Sequence, residues 1–196
     1  MLYRKYGMFE HLRIHQIILV SGPGRSGTRI CAKMIANDTG LPYIDEVEVP
    51  GLFIIGQEIS SVVNLIAGRG PFILHCPTLS RYLHELPGNP FTIFMWRDLQ
   101  EIHRSQQRVH VKRKSLEREY NKYGFSRFYK SILPRTPEDI SSIKQRYWTI
   151  KQKPVLYNYL EIQYNSLAEH QLWLDPAQRQ RFKWNQTELS NIQHET

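Results

Sequence analysis

The run Ile17-Ile-Leu-Val-Ser-Gly-Pro-Gly-Arg-Ser-Gly-Thr28 constrains this chain more than any other segment. Its apolar start reads as a buried strand, and its glycines read as a tight loop. The next stretch, Arg29 to Ala36, places apolar residues at helical spacing. A strand, a glycine loop and a helix N-terminus together make an anion cradle. Backbone N–H groups point at the ligand there, and the helix dipole favours negative charge. The expected ligand is a phosphate.

The details of the loop narrow the phosphate chemistry. A Walker A loop reads G-x-x-x-x-G-K-[ST]. Gly22 and Gly27 have that spacing, but Thr28 stands where the lysine belongs. Arg29 stands where the Mg²⁺-binding hydroxyl belongs, and the cation is Arg25, inside the loop. The apolar stretch Phe91 to Trp96 runs into Arg97 before it reaches Asp98, so it does not end in a Walker B aspartate. A Mg²⁺-dependent NTPase is disfavoured on these grounds. Two alternatives stay open. One is a P-loop nucleotide or small-molecule kinase with a degenerate Walker A loop. The other is a non-catalytic nucleotide or polyanion binder on the same fold.

Elements alternate along the chain. Strands are expected near 16–21, 41–44, 72–75, 91–96 and 155–163. Helices are expected over 27–37, 57–67, 78–85, 98–131 and 137–152, with a further helix at the C-terminus. Residues 45–51 read as a turn or loop. Apolar strands alternating with helices imply an α/β fold, with a parallel sheet covered on both faces. One domain, residues 1–196, is expected at this length. Ligands of such sheets bind at the carboxyl ends of strands. Arg25, the 45–48 turn, His75 and Arg97 all follow expected strands, which places them at one edge.

These residues carry a resemblance. Gly24-Arg25-Ser26-Gly27-Thr28 resembles the 5′-phosphosulfate loop of the sulfotransferase superfamily, which typically reads [KR]-[ST]-G-T. A second match lies at the family's distance: Arg97 closes a strand, and Ser105 follows eight residues later on the next helix, as in the family's 3′-phosphate site. Tyr159 to Leu167 is similar to the family's late strand, with Asn165 and Ser166 in place of an acidic pair. Arg179 to Thr187 is similar to its basic C-terminal segment. The resemblance implies a P-loop NTPase-like three-layer fold with helices on both faces. It implies metal-free transfer of a sulfuryl group from 3′-phosphoadenosine-5′-phosphosulfate (PAPS), the co-substrate, to a hydroxyl or amine.

It also implies roles. Arg25 would neutralise the 5′-phosphate and the leaving oxygen. Gly24, the backbone amides of Ser26, Gly27 and Thr28, and the side chains of Thr28 and Arg29 would hold that phosphate. Arg97 would clamp the 3′-phosphate with its planar fork, and Ser105 would add a hydroxyl. The acceptor hydroxyl needs a general base. Glu46, Glu48 and His75 are the candidates, and each has a plain reading as a solvated strand-end carboxylate or a buried histidine. His75 departs from the family, which often has a lysine in a Lys-x-Pro pattern there.

Charge and cysteines add bounds. The net charge is +8, and residues 97–153 hold fifteen Lys and Arg against six Asp and Glu. That surplus reads as a solvated basic face, as a funnel for an anionic donor, or as a surface for an acidic acceptor or polyanion. Nucleic acid is not the expected partner. A small molecule, glycan or peptide is the expected acceptor. Cys31 and Cys76, the only cysteines, make neither a disulfide framework nor a zinc site. No apolar run is long enough to span a membrane, and the first residues lack the apolar core of a signal peptide, so a cytoplasmic location is expected.

Overall fold

The computed structural model describes residues 7–54, 56–68, 70–108 and 137–173. Five strands run through it: β1 (Ile17–Ser21), β2 (Tyr43–Asp45), β3 (Phe72–His75), β4 (Phe91–Trp96) and β5 (Tyr159–Gln163). They form one sheet in the order β2-β3-β1-β4-β5, and every pairing is parallel. The chain goes to one side of β1 for β2 and β3, then crosses to the other side for β4. That reversal opens a crevice at the carboxyl end of β1, where open parallel sheets bind ligands.

Both faces of the sheet are covered at its centre, which explains why β1, β3 and β4 carry apolar residues in succession rather than alternating, whereas the edge strand β5 is partly exposed. Ile18 and Val20 pack on one face with Met34, Ile35 and Ile162. Leu19, between them, packs on the other face with Val62, Leu74, Phe94 and Trp148. Four α-helices are described: α1 (Thr28–Thr39), α2 (Glu58–Gly68), α3 (Leu99–Arg108) and α4 (Pro137–Tyr147). Helix α1 stops at Gly40, whose positive φ of 71° lets its N–H cap Ala36. Pro137 opens α4, where its missing N–H costs nothing. A π-helical turn, Trp148–Gln152, continues α4 and buries Trp148 fully, stacked on Phe94 at 4.4 Å.

Two expectations change, at 78–85 and at the start of the last strand. The 78–85 helix is a pair of 3₁₀ turns, Pro77–Arg81 and Leu83–Glu85; i→i+3 bonds such as Leu79 N–H to the Cys76 carbonyl hold this short segment. The turn or loop expected over 45–51 holds a 3₁₀ turn, Glu46–Glu48, closed by a capping box between Asp45 and Glu48. The last strand begins at Tyr159 rather than 155, because Pro154 sits in a 3₁₀ turn over Lys153–Val155. The expected helix beyond residue 108, the C-terminal helix and the basic segment 179–187 lie outside the described residues. Among the described residues, no helix is long and apolar enough to cross a membrane.

Candidate functional site

The loop after β1 is built for close backbone approach. Gly22 has a φ of +144°, and a Cβ there would lie 2.8 Å from the Met95 carbonyl of β4. Gly27 has a φ of +93°, and Arg25 holds a φ of +70° without being glycine, a conformation that costs a β-carbon-bearing residue about 1–2 kcal/mol. Ser26 turns inward: its N–H and its hydroxyl both donate to the Pro23 carbonyl, at 3.1 and 2.7 Å. The Ser26 amide, expected to hold a phosphate, is thus committed to the loop itself. No side chain caps the start of α1, so its first-turn amides have no intrahelical acceptor.

On the β4 side of the loop, Arg25 and Arg97 come together. Arg25 Nε donates to Ser105 Oγ of α3 at 3.1 Å. Arg97 Nη1 donates to the Arg25 carbonyl at 3.0 Å, and its Nε pairs with Glu101 at 3.0 Å. Tyr164 lies flat against the Arg97 guanidinium, 3.8 Å from ring centroid to Cζ. The same ring edge faces Gly27. Gln145 of α4 donates to the Arg97 carbonyl at 3.0 Å. Four segments thus fix one arginine whose remaining donors lie at the carboxyl edge of the sheet.

On the β3 side, a second cluster forms around Asp45. Parallel register places Asp45 beside His75. Thr28 Oγ1 and His75 Nε2 are 3.0 Å apart, and both residues are buried. His75 Nδ1 lies 3.4 Å from Asp45 Oδ2, outside hydrogen-bond geometry. Tyr43 donates its hydroxyl to Asp45 at 2.7 Å, and Arg29 pairs with Asp45 through Nε at 3.0 Å. Burial alone raises the Asp45 carboxyl; His75, the Tyr43 hydroxyl and the Arg29 charge overcome it and hold the group well below the usual carboxylate range. Burial and the neighbouring Asp45 push the Tyr43 hydroxyl far up.

Because the folded Asp45 is shifted down, its stabilisation is present above the unfolded carboxyl's range, near pH 4, and is lost as pH falls toward the folded value. Asp45→Asn is expected to lower unfolding stability by about 2 kcal/mol at pH 7, a figure discounted because the Arg29 side chain is 58% exposed. Urea denaturation at pH 7 and pH 3.5 checks this: the gap to wild type narrows at the lower pH. A gap of equal size at both would mean that Asp45 acts by packing.

Of the sequence candidates, Arg25, Arg97 and Ser105 meet directly, as do Thr28, Arg29 and His75 through Asp45. Gly24 is an open loop position with nothing within 4 Å of where a Cβ would stand. Glu46 accepts the Thr78 N–H at 3.1 Å, and Glu48 accepts the Asp45 N–H at 3.2 Å. Asp98 caps α3 by accepting the Glu101 N–H at 3.0 Å. Sequence reasoning passed over Asp45, Tyr164, Glu101 and Gln145. Asp45 carried a signal, the D-x-x-E spacing of a capping box; the others depend on contacts between distant segments. No family model matches the chain, and no curated protein matches it.

Proposed function

We propose that the chain is a PAPS-dependent sulfotransferase that moves a sulfuryl group to a hydroxyl or amine acceptor, on a P-loop form of the α/β fold. The observation that carries this reading is the Arg25–Ser105 bond together with the Arg97 bond to the Arg25 carbonyl. These join a 5′-phosphate-type loop to a separate arginine–serine pair some seventy to eighty residues away. A donor with phosphates at both its 3′ and 5′ positions needs two such cationic sites side by side.

The residues have the chemistry for each role. The uncapped first turn of α1 and Arg25 take the 5′-phosphate. Among the described residues Arg97 donates to Glu101 and to the Arg25 carbonyl, and we assign its remaining donors to the 3′-phosphate together with the Ser105 hydroxyl. In-line sulfuryl transfer builds negative charge on the leaving and equatorial oxygens, so preorganised positive charge and positioning supply most of the catalysis. Arg25, held in place by Ser105, is the cation for the leaving oxygen. His75 is 3% exposed and already faces Thr28; Glu46 is half-buried on the turn after β2. We therefore assign the acceptor's proton to Glu46 and a loop-facing role to His75.

Calorimetric titration tests the donor site. 3′,5′-ADP, the desulfated donor, is expected to bind in the micromolar range without added metal. Binding of Mg²⁺-ATP alone would sink this proposal and favour a kinase. Binding of neither would favour a non-catalytic protein.

A further inference from the structure

The hydroxyl of Thr28 has one proton, and the structure places that hydroxyl against an imidazole. This bears on any anion that the loop holds. Asp45 lies 3.4 Å from His75 Nδ1. A carboxylate there favours a proton on Nδ1, because the other neutral tautomer would set a nitrogen lone pair against the negative oxygen. With Nδ1 protonated, neutral His75 presents a lone pair at Nε2. Thr28 must then donate its proton to Nε2, across 3.0 Å, and it turns an oxygen lone pair toward whatever else it meets. A bound anion needs the opposite arrangement. If His75 carries a second proton, Nε2–H donates to Thr28 Oγ1, and the threonine proton is released to donate to the anion.

We propose that binding of a phosphate or sulfate ester at this loop is coupled to uptake of a proton by His75, relayed through Thr28. This inference rests on the donor-site reading above and adds a regulation to it. The proton comes from the buffer and remains on the imidazole; no covalent bond is made or broken. The charged groups of this corner are Arg29 and Lys33 from α1, Asp45 from β2, and Glu46 and Glu48 from the following turn. Tyr43 and Cys76 are its other titratable groups. Asp45 faces the Nδ1 proton and favours the positively charged ring once Nε2 is also protonated, while Arg29 limits how much negative charge Asp45 presents to it. His75 is 3% exposed and Thr28 4% exposed, so the relay is shielded from competing water.

The test is calorimetric titration of 3′,5′-ADP in buffers of different ionisation heat, from pH 5.5 to 8.5, on wild type and His75→Gln. The ligand's phosphates titrate near pH 6, so the difference between the two proteins is the readout. Glutamine offers Thr28 a permanent N–H donor and cannot titrate. Wild type is expected to take up close to one proton more than His75→Gln at neutral pH. Its affinity should fall by up to about tenfold per pH unit where His75 titrates, relative to the variant. Should His75→Gln fail to fold, the His75 ring resonance in wild type is followed by NMR with and without 3′,5′-ADP. The ligand is expected to move its titration midpoint upward. Tight binding with equal proton uptake in both proteins, or an unmoved midpoint, overturns the relay and leaves the donor site standing. Absence of binding at every pH overturns both.

Discussion

Gly27→Ala is expected to lower the melting temperature by about 5–15 °C. Two terms add. The backbone there has a φ of +93°, which an L side chain rarely adopts and which costs about 1–3 kcal/mol. The new Cβ would also lie 2.5 Å from Tyr164 Cδ2 and 2.8 Å from Cε2. Overpacking of that kind costs a further 1–3 kcal/mol, roughly. The ring has little room to yield, because Arg97 covers its face and Trp173 meets it edge-on at 5.2 Å. For a chain of this size each kcal/mol is worth about 2–4 °C. Gly24→Ala is the control: its Cβ would meet nothing within 4 Å and its φ is not left-handed, so its melting temperature should match wild type within about 2 °C. Thermal unfolding of both variants checks the pair. Equal melting temperatures would mean that Tyr164 does not pack against the loop.

Arg97→Ala is expected to weaken 3′,5′-ADP binding on the order of 100-fold. The substitution removes charge-assisted bonds to one phosphate, worth about 1.5–3 kcal/mol each, and each 1.4 kcal/mol is about tenfold. Fold stability should fall by about 2 kcal/mol: the screened Glu101 pair contributes little, because Glu101 is 40% exposed, but the bond to the Arg25 carbonyl and the Tyr164 stack are also lost. The comparison ligand is 5′-AMP, which lacks the 3′-phosphate. Its affinity should fall far less. If both ligands weaken equally, Arg97 acts by holding the Arg25 carbonyl and shaping the loop, and the 3′-phosphate assignment fails. Arg97→Lys separates charge from geometry: a lysine keeps the charge but lacks the fork, so binding should stay more than tenfold below wild type, roughly.

The pairing of Arg97 with Tyr164 explains why these two experiments are linked. One ring supports the guanidinium and also limits the space above Gly27. A change at either end of that stack reaches the other. Double substitution of Gly27 and Arg97 should therefore be non-additive in ligand binding, as contacting residues are in general.

Local chemistry was legible in the chain because it depends on near neighbours. Strand, glycine loop and helix follow one another between Ile17 and Thr39, with boundaries set by apolar runs and by Gly27 and Gly40. The same holds for β3 and β4, whose limits match the apolar stretches 72–75 and 91–96. The parallel sheet follows from alternation of strands and helices, and its central strands β1, β3 and β4 are buried on both faces. Residues 78–85 misled because a helical pattern says nothing about whether one full α-turn can form in so short a segment.

What only the tertiary structure decided is which of these residues meet. Strand order puts β3 and β4 on either side of β1, and so brings Asp45 and His75 to one flank of the loop and Arg97 and Ser105 to the other. The sequence alone located the strand–glycine loop–helix unit and the Arg97 and Ser105 positions eight residues apart. It left Asp45 as a turn residue, because its Tyr43 neighbour is local while Arg29 and His75 reach it only through the α1 crossover and the β2–β3 register. It left Tyr164 without a role, because the stack on Arg97 joins residues far apart in the chain. Periodicity and capping arise from contacts within a few residues and can be read along a chain. The charge state of a carboxylate and the aim of an arginine arise from long-range packing, which only the folded sheet supplies.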